Sequence, residues 1–299
     1  MLRYPFQRYA AAATQAALAG GSFLAKSLDK PKTVETKRSP IDLVTEIDRS
    51  CERLIRRILE RSYPEFGFLG EEHGEHPSTA PYRWIVDPLD GTNNFVHGFP
   101  FFGVSIGLQY LGSSESSRTQ SGWSISPSPR SDRAEQTIPG DILVGVIYDP
   151  NRRELFTAMK GGGAFLNGKR IHVSPTQRLA QSLVSTGFSS NFLRRTQPYL
   201  TWFETLQRKS HGVRRMGSTV LCLAAVAAGR MEGFYERDVW PWDIAAGLRL
   251  VEEAGGRVTN LEGDPVVLEE GRVIATNGLI HKELQHLLDR TQRSITRPR

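Results

Sequence analysis

Apolar residues recur at helical spacing in two early stretches of the chain. Residues 5–28 are predicted to form a helix, because large or small apolar side chains recur there every three or four positions: Phe6, Tyr9, Ala13 and Ala17. From Thr45 onward a second helix is predicted, with arginines on one face and apolar residues on the other: Ile47, Cys51, Leu54, Ile55, Ile58 and Leu59. Thr45 and Asp48 match a capping-box variant, which indicates that this helix begins there.

Short apolar runs bounded by glycine, proline and asparagine predict strands along the rest of the chain. They cover residues 66–72, 82–86, 101–111, 142–148, 154–159, 164–173, 182–187, 231–235, 257–260 and 272–276. Asn167-Gly168 is typical of a two-residue hairpin turn. Further helices are predicted over 198–209, over 218–228 with Ser218 and Thr219 as caps, from Asp243 as a cap to 255, and over 281–289.

These helices and strands mix without a regular strand–helix–strand alternation, and no internal repeat is present. The fold class is therefore predicted to be α+β or mixed α/β in layers. Residues 112–141 break the pattern, since nine of these thirty residues are serine and several others are proline or charged. We expect an inserted, disordered loop there, tolerated by the fold.

Length and composition narrow the class of protein. A chain of 299 residues fits one large domain or two ordinary ones, and two cysteines exclude a disulfide scaffold. Two buried thiols favour a reducing compartment, so we expect a cytoplasmic protein. The net charge of +6 comes from scattered basic residues, without a nucleic-acid-binding motif. We therefore expect a solvated basic surface and no nucleic-acid partner.

The start of the chain raises the question of a targeting segment. Residues 10–25 carry no charge before Lys26 and follow Arg3 and Arg8, as in a signal peptide. The stretch is rich in alanine and is interrupted by Gln15, which favours the opening helix over a targeting segment. No run reaches the length of about 18 apolar residues that a membrane span needs, so no membrane partner is expected.

Acidic residues concentrate at three places that predict chemistry: Gly70-Glu71-Glu72, Asp87-Pro88-Leu89-Asp90 and Trp240-Pro241-Trp242-Asp243. The second follows an apolar strand, and Pro88 is expected to turn the chain so that both aspartates converge and the Leu89 carbonyl is exposed. Converging carboxylates repel each other unless a cation neutralises them. An all-oxygen ligand set favours Mg²⁺. The alternative is a solvated Asp-Pro turn that caps a helix, and the two other acidic motifs argue against it.

The order of these motifs resembles the inositol monophosphatase family. It consists of GEE, DPLDGTNNF followed by VHGFPFFGVSIG, then GGGAFLNG and WPWDIAAGLRLVEEAGG, and the likeness covers roughly residues 6–289. The resemblance implies a five-layer αβαβα sandwich, one domain over 1–299 with two αβ halves of roughly 1–180 and 181–290. It also implies hydrolysis of a phosphate monoester by metal-activated water with two to three Mg²⁺ ions, lithium sensitivity and a homodimer.

The resemblance also assigns metal ligands and a proton acceptor. Glu71 resembles a ligand that bridges the first and third metals, and Asp87 the carboxylate shared by the first two. The Leu89 carbonyl would bind the first metal, and Asp90 with Asp243 would bind the second. The catalytic residues implied for the attacking water are Glu71, Thr92 and Asp48, the last of which would hydrogen-bond the Thr92 hydroxyl.

Substrate contacts follow from the same likeness. Asp90, Gly91 and Thr92 would face the phosphate, while Gly217, Ser218 and Glu236 would contact the ring and its hydroxyls. Inositol monophosphate is the first choice of substrate; fructose 1,6-bisphosphate, histidinol phosphate and 3′-phosphoadenosine 5′-phosphate are the alternatives. An inactive regulatory binding protein is the alternative class. Thr219 departs from the alanine that many members carry and is expected to alter the ring pocket slightly.

Overall fold

The helices and strands come from a computed structural model that describes residues 6–30, 32–37, 43–112, 137–189, 192 and 196–296. Its helices are α1 (Gln7–Ser27), α2 (Glu46–Ser62), α3 (Thr92–Val96), α4 (Tyr199–Lys209), α5 (Thr219–Ala227), α6 (Pro241–Glu253) and α7 (His281–Thr296). The first strands are β1 (Val34–Thr36), β2 (Leu43–Thr45), β3 (Gly67–Gly70), β4 (Gly74–His76), β5 (Tyr82–Asp90), β6 (Gly103–Tyr110), β7 (Ile142–Asp149) and β8 (Glu154–Met159). The later ones are β9 (Gly163–Leu166), β10 (Lys169–Arg170), β11 (Leu183–Thr186), β12 (Gly212–Arg214), β13 (Gly233–Arg237), β14 (Arg257–Thr259) and β15 (Arg272–Thr276).

Two large mixed sheets organise these strands. The first has eight strands in the order β10-β9-β8-β7-β6-β5-β3-β4, and its neighbours are antiparallel except for the parallel pair β3 and β5. The second has five strands in the order β12-β11-β13-β15-β14, in which β11 runs parallel to both of its neighbours. A small antiparallel pair, β1 with β2, stands apart from both.

Helices cover both sheets and separate them. α1 and α2 pack together on one face of the eight-stranded sheet, and α5 with α6 lies on its other face. The same α5–α6 layer contacts the five-stranded sheet, whose far side is covered by α4 and α7. The layers thus alternate αβαβα, as the family resemblance implies. Three buried apolar clusters lie between them, the largest around α5 and α6.

Local sequence explains why the helices begin where they do. The Thr45 hydroxyl accepts from Ile47 N at 3.1 Å, and Asp48 Oδ2 accepts from Thr45 N at 2.8 Å, so the expected capping box at α2 is confirmed. Ser218 caps α5 by accepting from Leu221 N at 3.2 Å. The opening helix is also confirmed, with a line of buried alanines against α2 and the first sheet.

Some element boundaries differ from the sequence-based expectation. The segment 164–173 forms two short strands around the expected Asn167-Gly168 turn, whose residues both have positive φ. Asp243 is not the cap of α6 but its third residue, and the cap is Trp240. The strands β1, β4 and β12 were not predicted, because each has only three residues and no alternating pattern.

Two other expectations concern the inserted loop and membrane-spanning helices. The proposed disordered loop 112–141 falls largely on residues 113–136, which lie outside the described residues. Its two flanking strands pair directly, since Tyr110 N donates to Asp141 O at 2.9 Å. Within the described part of the chain, no helix is both long enough and apolar enough to cross a membrane.

Candidate active site

The end of β5 carries the first two acidic residues of the site. The strand was expected to stop at Asp87, but it continues to Asp90 with an irregular register between these residues. Residues three positions apart in a regular strand point to opposite faces, and a bulge removes that alternation. Pro88 lies at this bulge, where its missing N–H costs no ladder hydrogen bond. A bulge, and not a turn, therefore brings Asp87 and Asp90 together.

A third carboxylate joins them from α6. Asp87, Asp90 and Asp243 can each place one oxygen within 4.8 Å of the other two. Each is held by neutral donors: Leu89 N donates to Asp87 at 2.9 Å, Val220 N to Asp90 at 2.8 Å, and Trp240 N to Asp243 at 2.7 Å. Ser218 also donates its hydroxyl to Asp90. The site thus joins β5 of the first sheet to the α5–α6 layer.

Burial makes these three carboxylates costly to ionise together. Desolvation raises the pKa of Asp87 and of Asp243 well above the usual range, and the neighbouring carboxylates, Glu71 first, raise both further. Burial raises the pKa of Asp90 to about 6, against the hydrogen bonds of Ser218 and Val220, which lower it. The group therefore carries strong uncompensated negative potential.

The donor set fits a hard divalent cation. All three ligands are carboxylates, and among the described residues no lysine, arginine or histidine pairs with any of them. A cation bound by Asp87, Asp90 and Asp243 would relieve the repulsion that raises their pKa values. Oxygen ligands of this kind suit Mg²⁺, Ca²⁺ or Mn²⁺ and not a thiophilic metal.

Thr92 and Asp48 form the expected hydrogen bond beside this group. The Thr92 hydroxyl lies 3.0 Å from Asp48 Oδ1 and 3.1 Å from the Leu89 carbonyl oxygen. Gly91, which precedes α3, has φ of +95°, and a Cβ there would lie 3.0 Å from the Phe101 carbonyl, so glycine is required. Helix α3, which follows Gly91, has only five residues, which limits the field of its N-terminus.

Glu71 has a different environment from the three aspartates. Its Oε1 is 2.8 Å from Lys37 Nζ, and Lys37 also pairs with Glu72. Burial lowers the pKa of Lys37, but the two carboxylates outweigh this and hold it above its usual value. Burial and the nearby Glu71 raise the pKa of Glu72 to about 7. Lys37 was missed by sequence reasoning, because it lies 34 residues before Glu71 and belongs to no motif.

A cavity of about 150 Å³ opens beside Asp90. The expected residues Gly217, Ser218, Thr219 and Glu236 line it, together with residues that no motif indicated: Thr186, Phe188 and Arg215. Glu236 is 6% exposed, and burial raises its pKa to about 8. The Thr219 hydroxyl donates to Glu236 Oε2 at 2.8 Å. Thr219, expected to affect the ring pocket, therefore engages one oxygen of this carboxylate.

Comparison with known proteins agrees with this arrangement. The model of the Inositol monophosphatase family matches residues 6–116 and 137–297. An Inositol-1-monophosphatase of Rhizobium meliloti (strain 1021) is 38% identical over 278 residues, which are 92% of this chain and 94% of that protein. A Nus factor SuhB of Pseudomonas aeruginosa is 37% identical over 278 residues, covering 91% of this chain and 92% of the relative.

Solved structures show the same fold. The inositol monophosphatase from Anabaena (Nostoc) sp. PCC 7120 superposes with a TM-score of 0.79 at 37% identity, covering 96% of this chain and 97% of that one. The extragenic suppressor protein suhB from Bartonella henselae gives 0.79 at 37% identity, covering 93% and 96%. With sequence, fold and the acidic site in agreement, the chain belongs to the inositol monophosphatase family, a family of phosphoric monoester hydrolases that use divalent metals.

Proposed function

We propose that this enzyme hydrolyses inositol monophosphate to inositol and phosphate with Mg²⁺. One observation carries the proposal: three carboxylates without a cationic partner, one buried and two half-buried, lie beside a small polar cavity that also contains Glu236. A cation site next to a pocket with a hydroxyl-accepting carboxylate suits a phosphorylated polyol. Asp87, Asp90 and Asp243, with Glu71 and the Leu89 carbonyl, would hold two to three ions.

When bound, the divalent cations neutralise phosphoryl charge and acidify the attacking water. The chain's own contribution is to hold the proton path. Because the Thr92 hydroxyl donates to Asp48 Oδ1, its oxygen lone pairs stay free to accept a hydrogen bond from that water. Burial raises the pKa of Asp48, which makes this carboxylate a better proton acceptor. Glu71 is the second acceptor in this scheme.

The residues that line the cavity would orient the substrate. Glu236 would accept hydrogen bonds from ring hydroxyls through the oxygen that Thr219 does not occupy. Gly217 and Ser218 would contact the ring, and the backbone of Gly91 and Thr92 would contact the phosphate. Arg215 at the cavity adds a positive charge that attracts an anionic ester.

Further properties belong to the same proposal and rest on family membership. They are inhibition by lithium, a homodimeric state and a cytoplasmic location. Li⁺ would replace the second cation among Asp87, Asp90 and Asp243, since it is small and hard like Mg²⁺. Asp243→Asn should therefore weaken lithium inhibition of any residual activity, whereas Glu236→Gln should leave it largely unchanged.

The proposal is tested by a substrate panel with released phosphate as the readout. The panel contains inositol 1-phosphate, fructose 1,6-bisphosphate, histidinol phosphate and 3′-phosphoadenosine 5′-phosphate, each with Mg²⁺ and with EDTA. We expect the highest kcat/KM for inositol 1-phosphate. A higher value for another ester would reassign the substrate, and no release from any ester would favour a binding protein. Relatives named Nus factor SuhB match at similar identity, so the absence of a nucleic-acid partner stays a prediction.

A further inference from the structure

Glu52 is a buried carboxylate beside the site that no motif indicated. It lies on α2, four positions after Asp48, so both residues occupy the same face of that helix. Its side chain is fully buried. A buried carboxylate needs several hydrogen bonds to offset its lost hydration. The groups that donate these hydrogen bonds identify the segment of the chain that the carboxylate holds in place.

All partners of Glu52 belong to the loop that carries Glu71. Glu52 Oε2 accepts from Glu72 N at 2.9 Å, and Oε1 accepts from His73 N at 2.9 Å. The His73 ring contributes Nδ1 at 2.6 Å from the same oxygen. The carboxylate thus binds two successive backbone N–H groups directly after Glu71.

Gly70 adds a contact on the other side of Glu71. A Cβ at Gly70 would lie 2.4 Å from Glu52 Oε2, so only glycine lets the loop approach the carboxylate. Both sides of Glu71 therefore contact Glu52: Gly70 packs against its carboxylate, and the next two residues donate their N–H groups to it. Glu71 N itself donates to Val86 O of β5 at 3.3 Å, next to Asp87.

From these contacts we infer that Glu52 is a positioning residue, which fixes the backbone of residues 70–73 so that Glu71 faces the aspartate group. α2 would then set both sides of the site: Asp48 holds Thr92, and Glu52 holds Glu71. This inference rests on the proposed metal role of Glu71. Partners that orient a metal ligand typically contribute 10–100-fold in metal affinity.

The test measures Mn²⁺ binding by electron paramagnetic resonance, a readout that does not require turnover. Glu52→Gln keeps the shape of the side chain but places an amide NH₂ against backbone donors. We expect the weakest class of bound Mn²⁺ to lose about tenfold in affinity, as in Glu71→Gln. The double variant should bind no more weakly than Glu71→Gln alone, because both changes act through one ligand.

A matched control and a milder variant separate positioning from folding. Glu253 also accepts two backbone N–H groups, from Gly161 at 2.8 Å and Gly163 at 2.7 Å, at the opposite end of α6 from Asp243. Glu253→Gln should lower Tm about as much as Glu52→Gln does, but it should leave Mn²⁺ binding unchanged. His73→Ala removes only the ring contact with Glu52 and should weaken the same class by about threefold.

The outcomes distinguish this inference from the proposed function. The positioning role would be overturned if Mn²⁺ binding were unchanged in Glu52→Gln and His73→Ala. It would also be overturned if the losses of Mn²⁺ affinity in Glu52→Gln and Glu71→Gln were additive in the double variant. Either result would count even in an enzyme that hydrolyses inositol 1-phosphate. A shared loss with Glu71→Gln in a protein that hydrolyses none of the four esters would support the positioning role while the proposed function fails.

Discussion

The site contains two acidic regions, and they differ in whether a positively charged side chain lies beside their carboxylates. Asp87, Asp90 and Asp243 are held only by backbone N–H groups and one hydroxyl. Glu71, which comes before all three aspartates in the sequence, instead pairs with Lys37 at 2.8 Å, and Lys37 also reaches Glu72. The first region has no internal cation among the described residues, whereas the second has one.

From this difference we infer that the aspartates and Glu71 differ in how strongly they bind a cation from solution. Three carboxylates without a counter-charge, one buried and two half-buried, oppose each other's ionisation, so we expect the aspartate group to depend on a cation from solution. At Glu71 an added cation must compete with the ammonium group of Lys37, which already supplies positive charge. We therefore expect tight divalent binding at the aspartates and weaker, exchangeable binding at Glu71.

The largest effect is expected from breaking the aspartate group itself. Asp90→Asn removes one of its three charges while preserving the shape of the side chain and its place beside Ser218. We expect kcat to fall at least about a hundredfold at saturating Mg²⁺, because cation-dependent charge neutralisation supplies several kcal/mol to such reactions. Circular dichroism should show an intact fold. A loss under tenfold would mean that this carboxylate is not a ligand.

A second experiment removes the internal cation of the other region. Lys37→Met keeps the length of the side chain but leaves Glu71 and Glu72 without their ion pair. The Mg²⁺ concentration for half-maximal activity should fall about threefold, since partly exposed ion pairs are typically worth under 1 kcal/mol. Lys160→Met is the control, because Lys160 pairs with Asp141 where β8 ends and β7 begins. An increased Mg²⁺ requirement in Lys37→Met would show that Lys37 orients Glu71 instead.

Glu236 differs from both regions: burial raises its pKa by more than the Thr219 hydroxyl and the charge of Arg215 lower it. Its folded-state pKa of about 8 exceeds the ordinary value of 4.5, so the folded state binds more protons and loses stability as the pH rises between these values. Glu236→Gln should thus have a higher Tm than the parent at pH 8 in EDTA and a similar Tm near pH 4.5. Exposed Glu204→Gln should show no such trend. The same Glu236 variant should raise KM for a polyol phosphate.

The smallest effect is expected from the segment that the sequence predicts to be an inserted loop. Replacing residues 113–136 by a short turn should leave kcat and Tm nearly unchanged, because long surface insertions contribute little to the free energy of unfolding. The strands on either side are already joined, since Gly140 N donates to Tyr110 O at 2.8 Å. Thermal melts and phosphate release would measure this. Loss of activity would assign the insertion a part in catalysis.

The sequence predicted most elements, and the errors have a common cause. The start of α2 and both ends of β7 were predicted to within one residue, because burial of one face or of both faces leaves a clear pattern. Strand β5 was ended too early, since Asp87 and Pro88 look like a strand terminus in isolation. Its last residues are kept in the sheet by pairing with β6, where Asp90 lies opposite Gly103.

The sequence alone predicted a cation-binding chemistry for the aspartate group. The residues Asp87, Asp90 and Asp243 stand in short, dense motifs, and carboxylates after an apolar run indicate a cation site without knowledge of the fold. The tertiary structure decided which side chains contact and position the two other carboxylates of the site, Glu71 and Glu236. Lys37, Glu52 and Thr219 act on Glu71 or Glu236 across 17 to 34 residues, or through backbone N–H groups. Such contacts leave no local pattern, because they depend on how distant layers pack and not on neighbouring residues.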